Sequence, residues 1–520
     1  MQTIGSLLLA VLLPLAAAGA ARGSSTAQAT YAASNQADTL PAQLHALLTD
    51  TVATPAHPLL RWYNVRATRA FYAGRTYAAA WSTGPLPSAT GRRALALLLA
   101  AEDYGLQPAN YHAPALLALA ALLEQPDTTA RHLARQARFE GLLTDGLLQF
   151  ARHLRRGQLR GGRPSPLERA DSLFEPAAWL VRALATPDFA PALLRCQPPQ
   201  REYQLLQAAL ARWRQRPAGP DSLARRRRAQ QMALTLERWR WQAIVEPDSD
   251  YVLVNLPAYA LEVVRGGQVY QTHRLVIGKP ESPTPTLSSW LKEVTLSPEW
   301  RVPYSIAARE LLPRLRYSPK YAAEHNFAIY DAKGRLVDAH DVDWWDVRPD
   351  RFAYTIRQNP GRGNALGAVL FRFANPYQVY LHATYETQDF KRPYRALGHG
   401  CMRLEQPMRL VAYLLGPDSA QARRPAAARR DKLPQPRRIA LRHPVRLHVR
   451  YATCAVVAGQ LCFYPDVYQK DEELRQQLFG PAPVGPVVGP VVGPGRRLGR
   501  GPGPGGAEKT VAAKSPTAGP

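Results

Sequence analysis

The spacing of apolar residues changes once along this chain, close to residue 250, and that change limits the folds open to it. Before it, Ala, Leu and Arg dominate, and apolar positions recur with helical spacing in residues 94–101, 115–123 and 144–154. After it, short runs rich in Val, Tyr and Leu begin with residues 251–255 and 259–264, which is typical of β-strands. The pattern predicts an α+β multidomain chain: a mainly helical N-terminal domain followed by a mostly β domain.

The length of the chain agrees with several domains. A chain of 520 residues exceeds what one ordinary core supports. We place a helical domain at residues 40–240 and a mostly β domain at residues 250–471. Within the latter, residues 305–350 are predicted to form a helical, loop-rich insertion. We expect the aromatic residues of the helical domain to serve as core or interface residues rather than as a ligand box; they include Trp62, Tyr63, Phe71, Tyr72 and Trp81.

The two ends of the chain have compositions unlike the rest. Residues 1–20 resemble a secretory signal peptide, with an apolar run at 7–15 and a small-residue cleavage site, although no Lys or Arg precedes the run. An uncleaved anchor is the alternative, but the run is short for a membrane span. Residues 21–39 are expected to be a flexible lead and residues 480–520 a disordered Gly/Pro-rich tail. We therefore expect export to the periplasm or cell envelope.

The net charge is strongly positive, at +26 from 66 basic and 40 acidic residues. A solvated basic surface and attraction to a polyanion both explain it. The arginine runs are scattered and lack regularly interleaved aromatic residues, so a nucleic-acid binder is disfavoured. The tail has more basic than acidic residues, which leaves two interpretations: weak attachment to an anionic envelope polymer, or an inert extension.

One short segment carries the residue types of nucleophilic catalysis. It runs His399-Gly400-Cys401-Met402-Arg403, and His382 precedes it. A Cys attacks carbonyl carbon as the thiolate, and a neighbouring imidazole is the usual proton acceptor. Gly400 permits a tight turn, and it and the backbone N–H of Cys401 are candidates for an oxyanion hole. A metal site built from both histidines and Cys401 lacks a convincing fourth ligand.

The order of this segment resembles the signature of the L,D-transpeptidase (YkuD-type) catalytic domain. Further stretches, in the same order, are similar to the YcbB-like branch of that family, which carries an N-terminal helical scaffold domain. The similar stretches include Tyr104-Gly105-Leu106-Gln107-Pro108, Val276-Ile277-Gly278-Lys279, Pro283-Thr284-Pro285, Trp300-Arg301-Val302-Pro303, Asn364-Ala365-Leu366-Gly367 and Arg403-Leu404-Glu405.

The resemblance implies roles for the site residues. It implies that Cys401 is the nucleophile and His382 the general base, while His399 has a secondary, orienting role. Arg403 is either a structural salt-bridge partner or a ligand for a substrate carboxylate. Tyr380 and Asn364 are candidate cleft residues, although core packing and turn formation explain them equally well. The insertion at 305–350 occupies the place of a capping subdomain, and no metal or other cofactor is implied.

The resemblance also implies a reaction on bacterial peptidoglycan. Cys401 would take the acyl group of a tetrapeptide stem as a thioester and pass it to the side-chain amine of a second stem, giving a 3→3 cross-link. With water as acceptor the protein would be an L,D-carboxypeptidase, and a wall-binding scaffold with a decayed site is a further alternative. Carbapenem-type β-lactams are the implied inhibitors.

The remaining cysteines do not form a disulfide scaffold. Cys454 and Cys462 flank a predicted hairpin turn at residues 458–459, so a cross-strand bridge between them is conceivable in an oxidising compartment. A change of one residue in register would separate the two thiols.

Overall fold

The computed structural model describes residues 39–49, 62–125, 130–159, 174–216, 222–242, 249–419 and 435–480. The predicted signal peptide, the lead up to residue 38 and the tail beyond residue 480 lie outside the described residues. None of the described helices has both the length and the apolar character needed to cross a bilayer.

The N-terminal part is helical, as predicted. Its helices are Leu40–Thr49, Val65–Ala73, Ala89–Leu99, Ala113–Leu123, Ala130–Arg156, Pro176–Leu184, Phe189–Leu194, Arg201–Gln215 and Ser222–Arg240. The 27-residue helix Ala130–Arg156 is central, and the shorter helices pack around its apolar face. Its buried Asp145 accepts hydrogen bonds from the backbone N–H groups of Tyr63 (3.0 Å) and Asn64 (2.6 Å). A carboxylate here satisfies N–H groups at the start of the helix Val65–Ala73, which have no partner within that helix.

Most of the aromatic residues singled out in the helical domain are core residues, as expected. Phe71, Tyr72 and Trp81 are buried. The Tyr72 hydroxyl donates to Glu140 (2.7 Å), and the Trp81 indole N–H donates to the Thr144 hydroxyl (2.8 Å). Each buried polar atom therefore has a partner inside the core, which explains why these large side chains are tolerated there.

The C-terminal part is mostly β. Two short strands, β1 Ser82–Thr83 and β2 Leu86–Pro87, pair with each other inside the helical part. The strands of the C-terminal part, numbered onward in chain order, are β3 Tyr251–Asn255, β4 Ala260–Arg265, β5 Gln268–Gly278, β6 Leu287–Leu296, β7 Trp300–Arg301, β8 Phe327–Tyr330, β9 Leu336–Val337, β10 Thr355–Gln358, β11 Val369–Arg372, β12 Leu381–His382, β13 Ala396–Gly398, β14 Met402–Leu404, β15 Arg437–Arg450, β16 Cys454–Val457 and β17 Gln460–Phe463. Two further helices are Pro407–Leu415 and Asp471–Phe479.

The main sheet closes on itself. Its strand order is β13-β5-β14-β12-β11-β6-β15-β3-β4, and β4 also pairs with β5. Alternate residues face the interior, so apolar side chains such as Val252, Leu275 and Phe371 fill it. Tyr251, Leu253 and other outward-facing residues pack against helices Arg201–Gln215 and Ser222–Arg240. The helical and β parts therefore share a buried contact.

The strand predictions are confirmed for some strands and not for others. The predicted strands at 251–255 and 259–264 are β3 and β4, and a tight turn separates β4 from β5. Strand β12 is short, because only Leu381–His382 pairs with its neighbours β11 and β14. Strand β6 was not predicted, although it lies between β11 and β15 in the sheet.

The predicted insertion is present, but it is not purely helical. Its helices are Tyr304–Ile306, Leu312–Tyr317 and Lys320–Glu324, with a π-helical turn at Ala307–Leu311. It also contains a four-stranded sheet in the order β7-β10-β8-β9, so it extends beyond the predicted 305–350. It has its own apolar core, distinct from the interior of the main sheet. We call residues 300–358 the cap.

The register of the C-terminal hairpin separates Cys454 from Cys462, the alternative to a cross-strand bridge between them. Strands β16 and β17 flank a turn at Ala458 and Gly459, both with positive φ, as the predicted turn requires. Cys454 pairs with Phe463, and Ala455 pairs with Cys462, so the two cysteines are offset by one residue. Neighbouring positions on a strand point to opposite faces, and both thiols are free.

Candidate active site

Cys401 lies in a short loop between β13 and β14, beside the end of β12. The N–H of Met402 donates to the carbonyl of Tyr380 (2.9 Å), and Met402 is fully buried in the sheet interior. Cys401 itself is half-buried. The buried neighbour and the backbone bond fix where the thiol emerges, with part of its surface open to a substrate.

A hydroxyl at the base of the cysteine loop fixes the loop's backbone. The Thr284 hydroxyl donates to the carbonyl of Gly400 (2.9 Å) and accepts from the N–H of Gly278 (2.9 Å). Gly400 has φ +102°, a conformation that side chains rarely adopt. No described residue accepts a hydrogen bond from the N–H of Cys401. That N–H is therefore available to a developing oxyanion.

His382 occupies the end of β12, on the strand next to β14. Register pairs it with Arg403, two residues after Cys401, so no strand separates the imidazole from the cysteine loop. His382 is buried, and its Nδ1 lies 2.6 Å from the carbonyl of Ala383. Because a carbonyl only accepts, Nδ1 carries the hydrogen, which leaves the lone pair of the neutral ring on Nε2.

Burial shifts the pKa of both Cys401 and His382. Burial lowers the pKa of His382 to about 4, and the positive charge of Arg403 acts in the same direction; hydrogen bonding to the backbone of Ala383 and Leu366 opposes it. Burial also raises the pKa of the Cys401 thiol, against the effects of the Tyr380 backbone and Arg403. At neutral pH the resting pair is therefore a thiol and a neutral imidazole, which is the charge state of a nucleophile awaiting a general base.

The Asn364 side chain organises a turn. Its side chain donates to the carbonyls of Gln358 (3.2 Å) and Asn359 (3.0 Å) and accepts from the N–H of Leu366 (2.8 Å). The side chain is buried, and its partners lie at the end of β10 and in the loop that follows it. Of the three interpretations of Asn364 (cleft residue, core packing and turn formation), these contacts correspond to turn formation.

The same turn presses against the residue that anchors His382. A Cβ on Gly367 would lie 2.7 Å from the carbonyl carbon and Cβ of Ala383 and 2.7 Å from the N of Thr384, and its φ is +62°. Contacts this short require something to move. Because Gly367 has no side chain, the turn can lie close to Ala383 without displacing the Ala383 carbonyl, which accepts the hydrogen bond from His382.

We expect Gly367→Ala to impair both stability and catalysis. Overpacking and the left-handed backbone together should cost roughly 2–4 kcal/mol of unfolding free energy. Displacing the Ala383 carbonyl should also slow acylation of Cys401. Gly363→Ala is the matched control, since Gly363 has φ +90° in the same loop but open space around it. Equal losses in both variants, measured by thermal unfolding and thiol acylation, would contradict the role of this contact.

Arg403 and Tyr380 both lie beside the cysteine loop, and they make different kinds of contact. The Arg403 guanidinium pairs with Glu386 and with Asp389 (3.2 Å). These ion pairs correspond to the salt-bridge interpretation of Arg403. Tyr380 is half-buried, its ring lies 5.8 Å from the Arg372 guanidinium, and its backbone holds Met402.

His399 is exposed on the other side of Cys401, and its partner comes from the cap. Its Nε2 lies 2.9 Å from Oε1 of Glu310, which belongs to the π-helical turn. The cap therefore reaches the cysteine loop. The structure brings Cys401, His382, His399, Gly400, Arg403 and Tyr380 together around one loop, and it places Asn364 in a supporting turn.

Comparison with known protein families agrees with this geometry. The profile of the YkuD family, described as the L,D-transpeptidase catalytic domain, matches residues 249–426. Residues 249–426 belong to the YkuD family of L,D-transpeptidase catalytic domains. The profile of a domain described as the Scaffold domain matches residues 66–210, in the helical part that precedes the transpeptidase domain.

Individual relatives cover only part of the chain. A Haemophilus influenzae protein, provisionally named as an L,D-transpeptidase, is 31% identical over 246 residues, which are 47% of this chain and 49% of the relative. The chain thus matches about half the length of that relative.

Solved structures of L,D-transpeptidases also match part of the chain. An L,D-transpeptidase from Mycobacterium smegmatis is 13% identical with a TM-score of 0.18, covering 39% of this chain and 58% of that chain. L,D-transpeptidase 1 of Mycobacterium tuberculosis is 13% identical with a TM-score of 0.16, covering 39% and 62%. Similarities this low do not bear on fold or function.

Sequence reasoning missed four residues that support the site of the transpeptidase domain. Thr284 and Gly367 stand in stretches that resemble the family, so a signal was present but their contacts were not predicted. Tyr468 donates to the carbonyl of Gly278 (2.7 Å) from far along the chain. Glu310 lies in the insertion, and nothing in its local sequence indicates a partner at His399.

Proposed function

We propose that this chain is a peptidoglycan L,D-transpeptidase that forms 3→3 cross-links through a thioester on Cys401. The observation that carries the proposal is the arrangement at one loop: a half-buried thiol, a buried neutral imidazole on the adjacent strand, and a backbone N–H with no acceptor among the described residues. Those three groups supply a nucleophile, a base and an oxyanion donor, which is what acyl transfer requires.

In the first step, Nε2 of His382 takes the thiol proton as Sγ of Cys401 attacks the carbonyl at the L-centre of the third residue of a tetrapeptide stem. The carbonyl oxygen becomes an oxyanion, for which the N–H of Cys401 is a donor. The C–N bond to the terminal D-Ala then breaks, and the imidazolium gives its proton to the leaving amine. The product is a thioester and free D-Ala.

In the second step, the side-chain amine of another stem attacks the thioester carbonyl. A C–N bond forms, the C–S bond breaks, and the amine gives up a proton as the thiol is restored. Burial favours the thiol as product, because it raises the pKa of Cys401. Water in place of the amine would give trimmed tripeptide and make the protein an L,D-carboxypeptidase.

The partners and location of the protein follow from this proposal. The partners are peptidoglycan stem peptides, and carbapenem-type β-lactams are the expected inhibitors because their strained carbonyl can acylate the same thiol. We propose that the protein is exported and acts in the periplasm or at the cell envelope, where its substrate lies.

Purified protein incubated with tetrapeptide muropeptides tests the proposal directly. Mass spectrometry should show dimers joined without loss of any atoms other than one D-Ala, and fragmentation should place the bond between two third-position residues. Tripeptide monomers alone would identify a carboxypeptidase instead. No change in the muropeptides, together with no covalent adduct on exposure to a carbapenem, would favour a decayed scaffold and reject the proposal.

A further inference from the structure

We propose that Glu310 of the cap is a positioning residue for the transfer step, acting through His399. This inference rests on the proposed function and concerns the same site. Its starting point is the 2.9 Å contact between Oε1 of Glu310 and Nε2 of His399. His399 is two residues from the nucleophile, and Glu310 belongs to a body with a separate apolar core.

The backbone around His399 is fixed while its side chain has one polar partner among the described residues. The carbonyl of Gly398 accepts from the N–H of Lys279 (2.9 Å), and the carbonyl of Gly400 accepts from Thr284 (2.9 Å). The imidazole itself is exposed and contacts Glu310. The cap therefore determines the orientation of the ring rather than the course of the loop.

Glu310 is held in place from within the cap. It lies in the π-helical turn Ala307–Leu311, where Ala307, Ala308 and Leu311 are buried in the cap core and Glu310 is half-exposed. Single π-helical turns occur often at functional sites, because the wider turn redirects one side chain. The carboxylate is thus fixed to the cap and extends toward the cysteine loop.

The contact also selects the form of the imidazole. An ionised carboxylate only accepts hydrogen bonds, so Nε2 of His399 carries a hydrogen, and in the neutral ring the lone pair stays on Nδ1. A carboxylate that holds an imidazole in one tautomer is the arrangement that makes histidine an efficient base in hydrolases. Nδ1 of His399 can then accept the proton that the incoming amine loses as its nitrogen attacks the thioester.

His382 and His399 lie in different surroundings, which suit them to different steps of the reaction. His382 is buried beneath the loop on β12, whereas His399 faces the cap and solvent. A second peptide stem is bulky and must approach the thioester from the exposed side. Glu310 should therefore influence the transfer to an amine, while acylation of the thiol depends on His382.

Two measurements distinguish this positioning role from a purely structural one. The first is the rate of Cys401 acylation by a carbapenem, and the second is the ratio of cross-linked dimer to hydrolysed tripeptide from tetrapeptide muropeptides. In Glu310→Gln and Glu310→Ala we expect the dimer-to-tripeptide ratio to fall about tenfold with acylation essentially unchanged. Glu310→Asp, which keeps the carboxylate on a shorter side chain, should recover part of the ratio.

Matched variants decide whether the effect runs through His399. Glu324→Gln removes an exposed carboxylate elsewhere on the cap and should leave the acylation rate and the dimer-to-tripeptide ratio unchanged. In a His399→Ala background, adding Glu310→Ala should cause no further loss, since the partner is already absent. Melting temperatures should be similar throughout, because a half-exposed ion pair contributes little to stability.

Three results would overturn the inference while leaving the proposed function intact: an unchanged dimer-to-tripeptide ratio in Glu310→Ala, a parallel fall of acylation and transfer, or an additive loss in the double variant. If the wild-type protein neither reacts with a carbapenem nor converts muropeptides, the proposed function fails, and this inference fails with it.

Discussion

Replacing Cys401 by alanine should abolish both cross-linking and formation of a covalent carbapenem adduct. In the proposed mechanism the thiol supplies the electron pair that forms the thioester, and the other cysteines of the chain lie outside this loop. Intact-protein mass spectrometry after incubation with a carbapenem should show one adduct on the wild-type chain and none on Cys401→Ala. Turnover of tetrapeptide muropeptides should be lost in the same variant.

The control for this prediction uses another cysteine of the same chain. Cys462 is also free and half-buried, but it lies in β17, outside the cysteine loop. Cys462→Ala should therefore keep both the adduct and the turnover. Thermal unfolding should show that Cys401→Ala still folds, because the loop is held by Thr284, Gly400 and Met402 rather than by the thiol. An adduct that persists in Cys401→Ala would identify a different nucleophile.

The elements that the sequence predicted well have local signals. Strands β3 and β4, predicted from residues 251–255 and 259–264, contain Val, Leu and Tyr at close spacing, which favours strands whatever their neighbours are. The motif around Cys401 is equally local, since His399, Gly400 and Cys401 are consecutive in the sequence, and a thiol near an imidazole is a recognisable pattern for nucleophilic catalysis. These local patterns can be recognised in the sequence without knowledge of the tertiary structure.

The elements that were missed depend on tertiary contacts. Strand β6 contains Ser288, Ser289 and Lys292, whose strand propensity is weak, and it is a strand because β11 and β15 pair with both of its edges. The sheet in the cap was missed for a similar reason, because its strands are only two to four residues long. Packing overrides local preference at these positions.

Contacts between distant segments account for what the sequence could not say about the site. The Thr284 bond to Gly400 and the Glu310 contact to His399 each join loops far apart in the chain. The offset of Cys454 and Cys462 is a matter of one residue in register, which turn composition does not determine. The role of Gly367 depends on its close contact with Ala383, which only the tertiary structure reveals.

Replacing His382 by alanine should slow acylation of Cys401 far more than replacing His399. Loss of a general base typically costs roughly 10²–10⁴-fold in rate. The relevant measurement is the second-order rate of carbapenem acylation, in wild type, His382→Ala and His399→Ala. His448→Ala controls for the loss of a buried imidazole, since His448 is buried in β15. If His399→Ala is the inactive variant and His382→Ala is nearly normal, the assigned roles are reversed.

The pH dependence of the same rate distinguishes a base from a merely structural histidine. Protonation removes the lone pair on Nε2, and burial lowers the pKa of His382 from 6.5 to about 4. Wild-type acylation should therefore fall only as the pH drops toward about 4, well below the range of an ordinary histidine. In His382→Ala the thiol must ionise unaided, and burial raises its pKa. The residual rate should then rise with pH through the alkaline range. A wild-type acid limb near 6.5, or a residual rate in His382→Ala that does not depend on pH, would show that His382 is not the proton acceptor.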